Sequence, residues 1–157
     1  MSTNIDEQPE GGGGCDSLET TDIVRRCTEL IVRYTHFADL GDLRRVPELF
    51  TVDGIWATPA EEHKGQRALC ERFQRMADEA QSMQWVTRHV CSNMLIEVQS
   101  AVEATATVYL TLYMRVGAGD GAGANLAPLK IGQYHDRMVR TTDGWRFAER
   151  RCSYAFV

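Results

Sequence analysis

The hydrophobic period of this chain changes once, after residue 80, and that change limits its architecture more than any other feature. Before it, apolar residues recur every three or four positions. From Ile23, the residues Cys27, Leu30, Tyr34 and Phe37 form one helical stripe, with Asp22 as the expected N-cap. Leu69, Phe73, Met76 and Ala80 repeat the pattern over Gln66–Ala80. Pro47 is disfavoured inside a helix but suits a first turn, so a short helix is expected over Pro47–Phe50. The segment "DGIWATP" then reads as a turn and a short strand. Beyond residue 80 the period is two. Strands fit Val86–Val98, Ala101–Val116, Leu129–Arg140 and Trp145–Val157. Gln99-Ser100 and Thr142-Asp143-Gly144 mark tight turns between them. Helices first and a strand meander afterwards imply an α+β fold, with helices packed on one face of an antiparallel sheet.

At 157 residues the chain is long enough for one domain with a substantial core. The first 17 residues, with Pro9 and Gly11 to Gly14, are expected to form a disordered tail ahead of a single domain over 18–157. A net charge of −5 gives no electrostatic reason to expect nucleic acid or an anionic membrane as partner. No apolar run approaches the ~18 residues of a membrane span, and the acidic, polar N-terminus does not read as a signal peptide. The five cysteines are odd in number and form no C-x-x-C, which suggests a reduced, cytoplasmic setting. The four histidines lack the H-x-x-x-H spacing of a helical metal site, so no metal is expected. "GAGDGAGANLA", Gly117 to Ala127, joins two strands rather than a strand to a helix. It reads as a hairpin loop, not a phosphate cradle.

Two features invite a chemical reading. Asp39 falls in the last turn of the first helix, where the macrodipole disfavours a carboxylate by up to about 1 kcal/mol. The strands carry the second feature. One face of Ala101–Val116 is apolar, whereas the other holds Glu103, Thr105, Thr107, Tyr109, Thr111, Tyr113 and Arg115. In the preceding strand His89 alternates with Cys91, Asn93 and Leu95. These polar-aromatic faces could meet water, a partner subunit or a ligand, and alternation alone leaves His89 as either a structural or a reactive histidine. His36 is expected in solvent, His63 in a loop, and Asp136 against an arginine of the last strand such as Arg150.

The segments "RYTHFADLGDLRRVPELFTVDGIW", "TRHVCSN" and "GQYHDRMVRTTDGWRFAERR", in that order, resemble the SnoaL-like division of the nuclear transport factor 2-like superfamily over about Asp22 to Arg151. The resemblance implies a cone-shaped, curved antiparallel sheet wrapped around three helices, the cystatin-like α+β barrel, with a pocket between them. The superfamily includes scytalone dehydratase, bile-acid dehydratases, polyketide cyclases and ketosteroid isomerases. In its dehydratases a tyrosine and an aspartate near the end of the first helix face a histidine on a strand. Tyr34, Asp39 and His89 match those three as catalytic candidates. Asp39 lies off the apolar stripe, so meeting His89 would require the helix end to bend or unwind. Trp56, Tyr109, Tyr113 and Tyr134 are the candidate substrate-binding residues. Relatives that eliminate water add an acid or histidine from the following strand. This chain offers only Tyr109, Thr111 and Tyr113 there.

The function implied is a small cofactor-independent dehydratase, isomerase or cyclase, using a His–Asp pair on a hydrophobic, ring-containing substrate. The alternatives are a non-catalytic subunit, like the small subunits of ring-hydroxylating dioxygenases, or a ligand carrier. The polar-aromatic sheet faces suit a homodimer or homotrimer.

Overall fold

A computed structural model describes residues 13–117 and 128–156. Three helices pack against one six-stranded, curved and unclosed sheet, an α+β fold. In chain order the elements are α1 (Gly13–Asp39), a 3₁₀ helix (Leu43–Leu49), β1 (Phe50–Ala57), β2 (Glu62–Lys64), α2 (Gln66–Met83), β3 (Val86–Ser100), β4 (Glu103–Arg115), β5 (Lys130–Thr141) and β6 (Gly144–Phe156). The glycine-rich segment 118–127 and most of the expected tail lie outside the described residues. α1 begins at Gly13, well before Asp22, so the helix takes in the end of the segment expected as tail. Asp22 is not its cap; it pairs with Arg25 and Arg26 along the helix surface.

The strand order is β2-β1-β6-β5-β4-β3. The sheet departs from the expected antiparallel barrel in two ways. β1 runs parallel to β6, and β2 and β3 remain as free edges. The parallel pair arises because β1 precedes the meander and is added beside the last strand, with α2 and four strands intervening. Curvature comes from irregularities that bend single strands. One lies in β1 around Gly54, whose absent Cβ would meet the Phe50 Cβ at 2.9 Å. Another is at Gly132 of β5, where a Cβ would fall 2.0 Å from the Ser153 carbonyl oxygen. A third is in β3 beside Asn93, which has φ of +46°.

The helices fill the concave side. Ile23, Cys27, Leu30, Ile31 and Tyr34 of α1 are buried, with Leu69, Phe73 and Ala77 of α2 and Val46 and Leu49 of the 3₁₀ helix. They meet Ala104, Ala106, Val108 and Leu110 of β4, Met138 of β5 and Phe147 of β6. The apolar face read from β4 is therefore the core face. Gln66, at the start of α2, donates from Nε2 to the carbonyls of Pro47, Phe50 and Thr51, tying α2 to the 3₁₀ helix and β1. Among the described residues no helix is long and apolar enough to cross a membrane.

Candidate active site

The last turn of α1 lies against the start of β3. Asp39 is the final residue of α1, and Gly41, at φ +90°, reverses the chain just beyond it. Its Oδ1 lies 2.6 Å from His89 Nδ1 and accepts from Thr87 Oγ1 at 2.9 Å. Its Oδ2 accepts the backbone N–H of His89 at 2.8 Å. That N–H is available because β3 is an edge strand. Both side chains are shielded: 13% of His89 and 10% of Asp39 is exposed. Burial raises the Asp39 carboxyl, but the hydrogen bonds from the His89 ring and backbone, its charge, and Thr87 outweigh it. The group lies below its ordinary value. An ionised carboxylate only accepts, so Nδ1 carries the proton in the pair and Nε2 is the ring atom left for other partners.

α1 stays helical through Asp39, so the end does not unwind to achieve this. Ile31, Thr35 and Asp39 follow one another at i, i+4 and i+8, and Ile31 and Thr35 are buried. α1 thus buries a second line beside the Leu30–Tyr34 stripe, and Asp39 is its polar end. A stripe-only reading overlooks that line because Thr35 is not apolar.

One turn back, Tyr34 projects into the interior. The Trp56 indole Nε1–H of β1 donates to the Tyr34 hydroxyl at 2.8 Å, which leaves the phenolic proton for another acceptor. The Tyr34 and His89 rings meet edge-on with centroids 6.5 Å apart. Burial pushes the Tyr34 hydroxyl up to about 12, partly offset by Arg150 and Trp56, so it stays a neutral donor. Tyr134 of β5 packs edge-on to Tyr34 at 5.9 Å and is raised well above the usual phenol value, again by burial.

Beneath these rings lies Arg150 of β6, fully buried. Its guanidinium carbon sits 4.3, 4.2 and 4.2 Å from the ring centroids of Tyr34, Tyr134 and Phe147. Nε and Nη2 form a bidentate pair with Asp136, its direct cross-strand neighbour, at 2.8 and 2.6 Å. The pairing expected for Asp136 is thus the one found.

His89, Tyr34, Trp56 and Tyr134 line one cavity of about 300 Å³, at the lower end of ligand sites. Its walls are mostly apolar: Ala38 and Leu43, Phe73 and Met76 of α2, Trp85, and Leu110, Leu112 and Met114 of β4. Thr58, Glu61, Arg72, Lys130 and Tyr154 supply further polar groups. Arg72 of α2 grips Glu61 with Nε at 3.0 Å and Nη2 at 2.8 Å, and His63 Nε2 lies 2.9 Å from the same carboxylate. His63 belongs to β2, its ring tilted against that of Trp56 with centroids 6.1 Å apart, rather than lying in a loop.

Two expected substrate-binding residues are not at this cavity. Tyr109 and Tyr113 are on the outer, convex face of β4, 52% and 37% exposed. The reason is register. His89 pairs with Leu112 and Cys91 with Leu110, and cross-strand partners share a face. The inward face of β3 near His89 therefore matches the apolar face of β4, not its polar-aromatic one. At the Asn93 irregularity the inward positions of β3 shift, and Ile96 and Val98 then pack on the core in place of odd-numbered residues. Leu110, Leu112 and Met114 stand where an acid or histidine of β4 was sought.

Sequence reasoning missed Thr87, Glu61 and Arg72. Thr87 had a signal, since it lies two residues before His89 and so on the same strand face. Glu61 and Arg72 had none, as they meet only through the docking of α2 on the β1–β2 connection. His36 and His135 are exposed. Among the described residues no three His, Cys, Asp or Glu side chains gather as a metal site.

Solved structures share this architecture. A nuclear transport factor 2-like protein of cystatin-like fold from Novosphingobium aromaticivorans superposes with a TM-score of 0.73 at 21% identity, over 89% of this chain and 86% of its own. ActVI-ORFA from Streptomyces coelicolor gives 0.70 at 17% identity, over 87% and 98%. A hexachlorocyclohexane dehydrochlorinase gives 0.72 at 15% identity, over 89% and 90%. Comparison with curated protein sequences gives no significant match. The family model of the SnoaL-like domain matches residues 19–151, and the chain belongs to that family.

Proposed function

We propose that this protein is a small enzyme that moves a proton on a hydrophobic, ring-containing substrate, in a dehydration, isomerisation or cyclisation. The observation that carries the reading is the shielded Asp39–His89 pair beside an apolar cavity. Its geometry leaves His89 Nε2 without a protein partner among the described residues. A scaffold protein has no use for such a pair.

The chemistry follows from the atoms. With Nδ1–H donated to Asp39, the Nε2 lone pair takes a proton from carbon next to a substrate carbonyl. Asp39 stabilises the imidazolium that forms. The Tyr34 O–H donates to the carbonyl oxygen as negative charge develops there. His89 then returns the proton, to another carbon in an isomerisation or to a departing hydroxyl in a dehydration. The apolar walls keep competing water out and strengthen each of these interactions. The structural likeness to a dehydrochlorinase supports elimination among the possible outcomes.

Every branch begins with the same proton abstraction, so the test need not know the product. Cyclic ketones such as 2-tetralone, incubated in D₂O with the protein, should exchange hydrogen beside the carbonyl faster than in buffer, as followed by NMR. His89→Ala should return the rate to background. No exchange above the buffer rate would overturn the reading and leave a ligand carrier, and exchange that survives His89→Ala would remove His89 as the base.

A further inference from the structure

Among the described residues around the cavity, each charged side chain but one has a close ionic or hydrogen-bonding partner. Asp39 has His89, and Glu61 has Arg72. Arg150, under the floor, has Asp136. Lys130, the first residue of β5, lines the cavity and takes part in none of the ion pairs among the described residues. It is half-buried. Its Nζ rests 4.3 Å from the centroid of the Tyr154 ring, and Tyr154 lines the same cavity.

The sheet register determines where this cation stands. His89 pairs with Leu112, and Leu112 pairs with Lys130. Partners across neighbouring strands point to the same face. Lys130 therefore occupies the same inward row as His89, two strand spacings away, about 10 Å between the backbone positions. The next inward row holds Leu110, Gly132 and Tyr154. Gly132 contributes no side chain, so nothing on β5 stands between the Lys130 stem and the Tyr154 ring. The aromatic face then steadies the ammonium over the cavity.

We propose that the substrate carries a carboxylate on its ring system and that Lys130 binds it, at about two strand spacings from the carbon that faces His89. A cation in a largely apolar wall loses hydration that a ligand anion restores. A single ammonium with no carboxylate against it among the described residues suits one carboxylate. A phosphate would call for more donors, and the guanidinium fork that could help, Arg72, is already closed on Glu61. The inference rests on this cavity being the substrate site, and it makes Lys130 a specificity-determining residue.

Matched probes test it. Benzoate, cinnamate and 2-naphthoate would be compared with their primary amides by titration calorimetry at pH 7, using the full chain. At least one carboxylate should bind about tenfold tighter than its amide. Lys130→Met, which keeps the apolar stem, should erase that ratio while leaving amide binding in place, and Lys130→Arg should retain it. Equal or weaker binding of every carboxylate, or a ratio that survives Lys130→Met, overturns the proposal. Failure of the enzyme reading is separate. Carboxylate preference without His89-dependent exchange would keep Lys130 as an anion-binding residue in a carrier. Exchange without carboxylate preference would keep the enzyme and remove this role.

Discussion

Asp39 stands where a helix least favours a carboxylate, and three hydrogen bonds from β3 offset that cost. Two consequences follow at the residue scale. Asp39→Asn should lower turnover at least about 100-fold, because an amide can hold the imidazole in the wrong tautomer and does not stabilise its charged form. Combined with His89→Ala it should add almost nothing, since the two act as one unit. Tyr34→Phe should cost about 1–3 kcal/mol in the barrier, the worth of one hydrogen bond to developing charge. Stability should also respond to acid. The folded carboxyl of Asp39 titrates below its ordinary 3.8. Its contribution is therefore complete at neutral pH and is lost as pH falls through that lowered value. The Tm difference between native protein and Asp39→Asn should shrink in acid, and a difference independent of pH would show that the carboxylate charge is not what stabilises this end of the helix.

At the scale of elements, the hairpin of β5 and β6 places Arg150 opposite Asp136 and presses its guanidinium under Tyr34, Tyr134 and Phe147. One nitrogen, Nη1, is buried without a hydrogen-bond partner among the described residues. Such a pair is costly to break because the survivor is left charged in the core. Arg150→Met alone should destabilise by about 3–5 kcal/mol, whereas Arg150→Met with Asp136→Leu should lie much closer to native. Urea unfolding of the three proteins reads this directly. A single variant no less stable than the double would mean that the ring stack, not the charge pair, holds the hairpin. The same hairpin supports Tyr34 from below, so the single variant should also loosen the Tyr34–Trp56 hydrogen bond.

For the whole molecule, the convex face of the sheet remains unaccounted for by the helices. Val90, Tyr109, Tyr113 and Ile131 are exposed on it. We expect this face to join subunits into a homodimer or homotrimer, as exposed aromatic positions of a sheet suit an interface. Tyr109→Glu should then shift sedimentation toward the monomer without lowering the Tm of the monomer's own fold. A native protein that sediments as a monomer at micromolar concentration would contradict this.

Periodicity and turn signals carried the order of the elements except β2, whose residues read as loop in the sequence. The 3.6-residue stripes of α1 and α2 and the alternation of β3 to β6 are local properties, and they survived into the fold except in β3, where the inward face shifts at Asn93. Local patterns also carried the core face of β4 and the partner of Asp136, because a hairpin with a Asp-Gly turn has few possible registers. The resemblance added Tyr34, Asp39 and His89 as a set, though not how they could meet. That depended on tertiary structure: α1 buries a second line ending at Asp39, and β3 is an edge strand with an N–H to spare. The same holds for Tyr109 and Tyr113, whose side of the sheet depends on which β3 residue opposes which β4 residue. Register between strands, the parallel seating of β1 on β6, and the docking of α2 that joins Glu61 to Arg72 are contacts between distant segments. Their energies belong to pairs of surfaces, and no single stretch of sequence encodes a pair.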